Sequence, residues 1–251
     1  MKVSGNGITL YLLDAVALLQ SLPEGSVDLI LTDPPWNSGG ERKSTQGTYQ
    51  DAYTLLEYQV LTEAWLCAAW RALKPTGTLL VWLDYRWTPY LAVWGDQLFG
   101  YECRLGEIIV ESSLGNPGKS RWPVKHSNIT IYTKNPNDHY FNADKLPDVE
   151  RKGGAETRGL YTYGKMKKIG SILPGTFSNT DKERVGYPDQ KPVWVLQALI
   201  ETHAPPGSTV VDPFGGSGST GVAARWAGCQ CILGDQSPQA FRVISERLEL
   251  E

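Results

Sequence analysis

The chain has 251 residues, 41% of them hydrophobic, and a formal net charge of -3, which fits one large α/β domain with an insertion and argues against disorder. No apolar run approaches the roughly 18 residues of a membrane span, and Met1 to Gly7 holds no apolar signal core. Four Cys make no disulfide framework in a chain of this size and are read as reduced thiols, pointing to the cytoplasm.

In chain order, Ile8 to Leu13 reads as a short strand and Asp14 to Gln20 as a short helix, ended by the Pro23-Glu24-Gly25 turn. Val27 to Leu31 is a buried strand that runs into Asp33-Pro34-Pro35-Trp36. Asn37 to Tyr49, polar and glycine-bearing, reads as a mobile loop. Val60, Leu61, Ala64, Trp65, Ala68, Ala69 and Ala72 fall on one face of a helix over Leu56 to Leu73. Strands follow at Thr78 to Leu83, Arg104 to Val110 and Asn128 to Thr133, with a helix at Thr88 to Phe99 and a loop at Ser112 to His126. Ala143 to Gln190 has little periodicity, and a loop that long usually carries function. Helices at Val193 to Thr202, Thr220 to Trp226 and Pro238 to Leu250 then alternate with strands at Ser208 to Val211 and Cys229 to Leu233. Strands alternating with helices give an α/β fold with a doubly wound, mostly parallel sheet.

Charge is unevenly spread. Asn116 to Lys191 holds fourteen Lys+Arg against eight Asp+Glu, hence +6, and the remainder ten against nineteen, hence -9. A small basic insert on an acidic body fits a local phosphate-binding surface, with Lys165, Lys167 and Lys168 as candidates and Arg42, Lys43 and Lys119 to Lys125 as the alternative path.

Two segments carry chemistry, and each follows a strand, where open α/β sheets bind ligands. Asp33-Pro34-Pro35-Trp36 offers an acid, a stiffened proline carbonyl and an aromatic face. Asp212-Pro213-Phe214-Gly215-Gly216-Ser217-Gly218-Ser219-Thr220 is a glycine-rich turn opening a helix, and Gly218 stands where a phosphate loop would have Lys. Asp235 ends the next strand, placed to accept from two ribose hydroxyls or, alternatively, to cap the last helix. With no cation in the turn, the expected ligand is a nucleoside without phosphates. No metal site is expected.

Together these residues resemble the S-adenosylmethionine-dependent amino-methyltransferases of DNA, which modify adenine N6 or cytosine N4. The motif order is that of their β group, and the likeness spans nearly the whole chain except about Ala143 to Gly186. It implies a Rossmann-like methyltransferase fold with a catalytic half over 1–142, a target-recognition insert over 143–186 and a cofactor half over 187–251. Asp33, Pro34, Pro35 and Trp36 become catalytic. Asp14 is assigned to the cofactor's adenine, Asp235 to its ribose, and Asp212, Phe214, Gly216, Ser217, Gly218 and Ser219 to its methionine side. Lys191, in Tyr187-Pro188-Asp189-Gln190-Lys191-Pro192, belongs to the segment that closes over the cofactor. The chain departs from the family at Asp189 and Ser219, usually Thr, and at Glu111-Ser112-Ser113, where Trp or Asn then Lys is usual.

The implied chemistry is methyl transfer. The lone pair of adenine's amine is conjugated with the ring, so two acceptors on its hydrogens would free it; Asp33 and the Pro34 carbonyl are the candidates, with Trp36 stacked on a flipped base. Cytosine C5 chemistry would need a thiolate, and no Cys follows a Pro. Asp-Pro-Pro favours adenine by family association, leaving cytosine N4, an RNA substrate or a silent binding module as alternatives. Double-stranded DNA is the implied partner, and a homodimer and a cognate restriction endonuclease are compatible with it.

Overall fold

Five neighbouring strands run parallel in the order β2 (Ile8–Leu12), β13 (Gln230–Asp235), β12 (Thr209–Asp212), β3 (Val27–Thr32) and β6 (Leu73–Leu83). The computed structural model describes the chain except residues 45–46, 113–119, 121, 151–165 and 175–182, together with the side chains of 44, 47, 48, 50, 150, 166 and 167. The parallel strands are buried on both faces, which is why they read as continuous apolar runs. Along β6, Leu79, Val81 and Leu83 face α1 (Ala15–Ser21), α2 (Leu55–Ala72) and α3 (Thr88–Phe99). Leu80 and Trp82 face the opposite layer, built by α4 (Val193–His203), α5 (Ser219–Trp226) and α6 (Pro238–Leu248). Helices from the first part of the chain thus cover one face and those from the last part the other.

The sheet continues beyond β6 through β8 (His126–Thr133) and β7 (Arg104–Glu111), each antiparallel to its neighbour. At the opposite edge β1 (Lys2–Gly5) pairs antiparallel with β2. The sequence reading missed β1, although Asn6 (φ 53°) and Gly7 (φ 77°) form the Asn-Gly turn that joins such hairpins. The region expected as a loop over 37–49 instead folds into a hairpin, β4 (Gly40–Ser44) and β5 (Gly47–Asp51). Within the insert, β9 (Asp148–Glu150) pairs with β10 (Met166–Lys168), and β11 (Ile172–Leu173) adds to the main sheet parallel to β7. Ile169 and Leu173 are buried in the main core, so the insert is stitched to the sheet.

The chain leaves β12 toward β13 and leaves β3 toward β6, in opposite directions across two adjacent strands. That reversal opens a crevice at the strands' carboxyl ends, where open α/β sheets bind ligands. No helix among the described residues is long and apolar enough to cross a membrane.

Candidate active site

The ends of β3 and β12 are tied together. Asp212, 3% exposed, accepts from Thr32 Oγ1 at 2.8 Å, Thr220 Oγ1 at 2.6 Å and Phe214 N at 3.1 Å. Loss of hydration pushes its carboxyl up to about 6, against the pull of those donors. Asp212 therefore sits beneath the glycine-rich loop as its anchor.

Beyond Thr32 the chain turns through Asp33-Pro34-Pro35-Trp36. Trp36 Nε1 donates to Asp33 Oδ1 at 2.8 Å, which fixes indole and carboxylate together. Among the described residues nothing donates to the Pro34 carbonyl, while the Pro35 carbonyl accepts from Tyr58 Oη at 2.6 Å. The next two residues are fastened by Asp51, fully buried at the end of β5, which accepts from the backbone N–H of Asn37 (2.7 Å) and Ser38 (3.0 Å) and from Ser38 Oγ (2.6 Å). Asn37 takes φ 45° in this tight turn. The hairpin thus supports the Asp33-Pro34-Pro35-Trp36 turn, a role no local sequence signal announces.

The glycine loop is held from both sides. Gly218 adopts φ 79° at the start of α5, and a Cβ there would lie 3.3 Å from Ile244, so both conformation and space call for glycine. Asp235 Oδ2 accepts from Gly216 N at 2.9 Å and Oδ1 from Ser237 N at 2.8 Å. The cap of α6 is Ser237, whose Oγ accepts from Ala240 N, so the alternative reading of Asp235 as that cap is corrected. From behind, Arg247 Nη1 donates to the Ser217 carbonyl at 2.9 Å and to Ser219 Oγ at 3.0 Å. Sequence reasoning missed Arg247 because a cation in a helix's last turn is ordinary.

These parts enclose a cavity of about 450 Å³. Asp14, Asp33, Pro34, Pro35, Trp36, Lys191, Asp212, Phe214, Gly216, Ser217, Ser219 and Asp235 line it, whereas Gly218 lies behind the loop. Asp14 also caps α1, its Oδ1 accepting from Ala17 N at 3.0 Å. The Phe214 ring meets Trp65 edge-on at 5.8 Å, leaning toward the α2 layer. Tyr187 closes the loop end of the cavity, its ring 3.5 Å from where a Gly216 Cβ would stand. Lys191 lies against Asp33, its Nζ 2.5 Å from Asp33 Oδ2. Loss of hydration pushes the Asp33 carboxyl above its ordinary range, and the Lys191 ammonium opposes that rise.

The donor set fits a sulfonium nucleoside: one carboxylate, Asp235, at the end of β13, a glycine turn without cations, and an apolar wall. Among the described residues no group of His, Cys, Asp and Glu could hold a metal ion. On the basic insert, Lys168 Nζ donates to the carbonyls of Asp144 (2.9 Å) and Leu146 (3.0 Å) and pairs with Asp148, whereas Lys165, Lys119 and the side chain of Lys167 lie outside the described residues. Arg42 and Lys43 of the alternative path pair with Asp189 and Glu41.

Residues 27–246 match the model of the N6/N4 methyltransferases, described as DNA methylase. The chain is 26% identical over 246 residues to the type II methyltransferase M.HpaI of Haemophilus parainfluenzae, covering 95% of this chain and 73% of that one. It is 28% identical over 250 residues to the DNA adenine methyltransferase YhdJ of Escherichia coli K12, covering 94% and 81%. Its fold matches that of the PvuII cytosine-N4-specific DNA methyltransferase with a TM-score of 0.73, at 17% identity, over 96% of this chain and 86% of that one. With the family model matching most of its length around this cavity, the chain belongs to the DNA methylase family that modifies exocyclic amines, whose cofactor is S-adenosylmethionine.

Proposed function

We propose that the protein transfers a methyl group from S-adenosylmethionine to the N6 amine of adenine in double-stranded DNA. One observation carries this reading. Asp33 with its free proline carbonyl, and the Gly216–Asp235 loop, open into one cavity across strands joined by the Thr32–Asp212 bond. When bound, the cofactor supplies an electrophilic methyl on a sulfonium. The protein's part is positioning and electrostatics. Asp235 and the backbone of the glycine loop hold the nucleoside and methionine ends. Asp33 and the Pro34 carbonyl accept from the two amine hydrogens, drawing the nitrogen lone pair out of conjugation. Trp36, locked by its bond to Asp33, offers its face to a flipped base.

Adenine is supported by the Asp-Pro-Pro motif and by the likeness to YhdJ, and a restriction-modification setting with a cognate endonuclease by the likeness to M.HpaI. The insert over 143–186 is assigned to target recognition because its surroundings carry the chain's surplus of positive charge. The 1–142 and 187–251 segments serve as catalytic and cofactor halves, in a protein that works in the cytoplasm, and a homodimer is compatible with this reading. The test is incubation with DNA and cofactor labelled in its methyl group, followed by nucleoside analysis. Label in N6-methyladenine is the expected result. Label in N4-methylcytosine overturns the base, and no label in either overturns the activity.

A further inference from the structure

Both oxygens of Asp33 are engaged. Oδ1 accepts from Trp36 Nε1, and Oδ2 accepts from Lys191 Nζ at 2.5 Å. The Lys191 ammonium also donates to the Asp189 carbonyl at 3.0 Å. It lies over the Trp36 ring, 4.4 Å from the centroid, and 5.5 Å from that of Trp82. Its side chain is only 12% exposed. Asp189 takes φ 52°, a left-handed conformation that costs a non-glycine residue energy. An N–H donor on the Asp33 carboxylate, flat against the indole, is also what a flipped base would present with its exocyclic amine. We propose that Lys191 is a positioning residue whose ammonium stands in for the target amine on Asp33, holding the carboxylate charged and aimed until that amine displaces it.

This inference rests on the proposed methyl transfer and adds a role for a side chain that the sequence assigned to the cofactor. Its physical content is an exchange of one N–H donor for another. A carboxylate in a dehydrated wall is costly when unpaired. The groups facing Asp33 do little to replace the ammonium. Asp189 and Asp212 are like charges, and Tyr49 and Tyr58 are neutral phenols. Arg42, on the hairpin, is spent on Asp189 and Asp51. Without Lys191 the Asp33 carboxyl takes up a proton at a higher pH than in the wild type.

The experiment compares wild type, Lys191→Met, Lys191→Gln and Lys191→Arg on the same DNA. It records kcat/KM for DNA against pH, cofactor affinity by calorimetry, and the titration of the Asp33 carboxyl carbon by ¹³C NMR in the unliganded protein, assigned with Asp33→Asn. In Met and Gln the acid limb of kcat/KM for DNA and the NMR titration both move up by about one pH unit or more, so kcat/KM on that limb falls roughly tenfold. Arg returns both toward wild type, and cofactor affinity changes less than about threefold in every variant. Gln, neutral but able to donate, carries the test should Met fail to fold. Unmoved limbs overturn the inference, and so does a tenfold loss of cofactor affinity with an unchanged profile, which makes Lys191 a cofactor ligand. A wild type that methylates no base overturns the proposed function instead, and the NMR titration still reports on the ion pair.

Discussion

Thr32 and Asp212, the last residues of two adjacent parallel strands, are joined side chain to side chain at 2.8 Å, so the Asp33-Pro34-Pro35-Trp36 turn and the glycine-rich loop share one buried carboxylate. Burial lifts Asp212 from 3.8 to about 6. The native state then holds a proton that the unfolded chain has already lost, and stability falls as pH rises between those values. His203, buried at the end of α4 with Nδ1 2.9 Å from the Leu199 carbonyl, is lowered by burial from 6.5 to about 4. Its native state binds fewer protons than the unfolded chain, so its contribution rises with pH over nearly the same window. Each effect is on the order of 3 kcal/mol, and they offset. Relative to wild type, Asp212→Asn tilts the stability curve upward with pH from about pH 4 to about pH 6.5, and His203→Gln tilts it downward. Urea denaturation across that range checks this; curves for the two variants that run parallel would refute it.

Asp33→Asn keeps the shape of the acid and removes its charge. Turnover is expected to fall by about 10²–10³-fold or more, the scale of losing one preorganised electrostatic contact. Cofactor affinity is expected to stay within about threefold, since the proposed function assigns Asp33 to the base and not to the cofactor. Single-turnover kinetics beside calorimetry separate the two. Near-normal turnover would remove Asp33 from the chemistry.

Arg247 touches the Ser217 carbonyl and Ser219 hydroxyl from behind the loop and lines no part of the cavity. Arg247→Met removes the donor to the Ser217 carbonyl and leaves Ser219 Oγ with Ser217 Oγ, 3.1 Å away, as its partner in a buried setting. The expected result is cofactor binding weakened by about 1–2 kcal/mol, with kcat at saturating cofactor within about twofold. A lower kcat at saturation would mean that the loop aligns the reacting methyl as well as binding its carrier.

Asp235→Ala removes an acceptor from the ligand position and also from Gly216 N and Ser237 N. Cofactor affinity is expected to drop by about 1–3 kcal/mol, with a lower melting temperature of the unliganded protein. Unchanged affinity beside a lowered melting temperature would leave Asp235 a loop support only.

The two motifs were legible because each follows a buried strand and their residue types suit strand ends. What escaped the sequence reading lies in long-range contacts. Thr32 meets Asp212 across 180 residues, Lys191 meets Asp33 across 158, and Arg247 meets Ser217 across 30. No local pattern records such meetings. Lys191 lies just before α4, and only the fold brings it over the Asp33-Pro34-Pro35-Trp36 turn. The β4–β5 hairpin was hidden for a different reason. Its polar residues lack the alternation that marks a half-buried strand, and Asp51, fully buried, fastens its end to Asn37 and Ser38.

The DNA surface is the last test. The segment from 116 to 191 carries +6 on a body of -9, so binding is expected to draw on it. Lys168 holds the Asp144 and Leu146 carbonyls, and reversing it should lower stability and report little on DNA. Lys165→Glu with Lys167→Glu is the cleaner variant. Every phosphate that goes unneutralised reduces the slope of log affinity against log salt by roughly one, so this pair should reduce it by up to about two. Cofactor affinity, set at the far loop, should not change. A salt titration of DNA affinity for wild type and the double variant decides the matter. Superimposable lines would move the DNA path to the segment before β8, where Trp122 stands 92% exposed in the same stretch as Lys125, and Trp122→Ala would then be the variant that weakens binding, by about 1–3 kcal/mol if that ring stacks on a base.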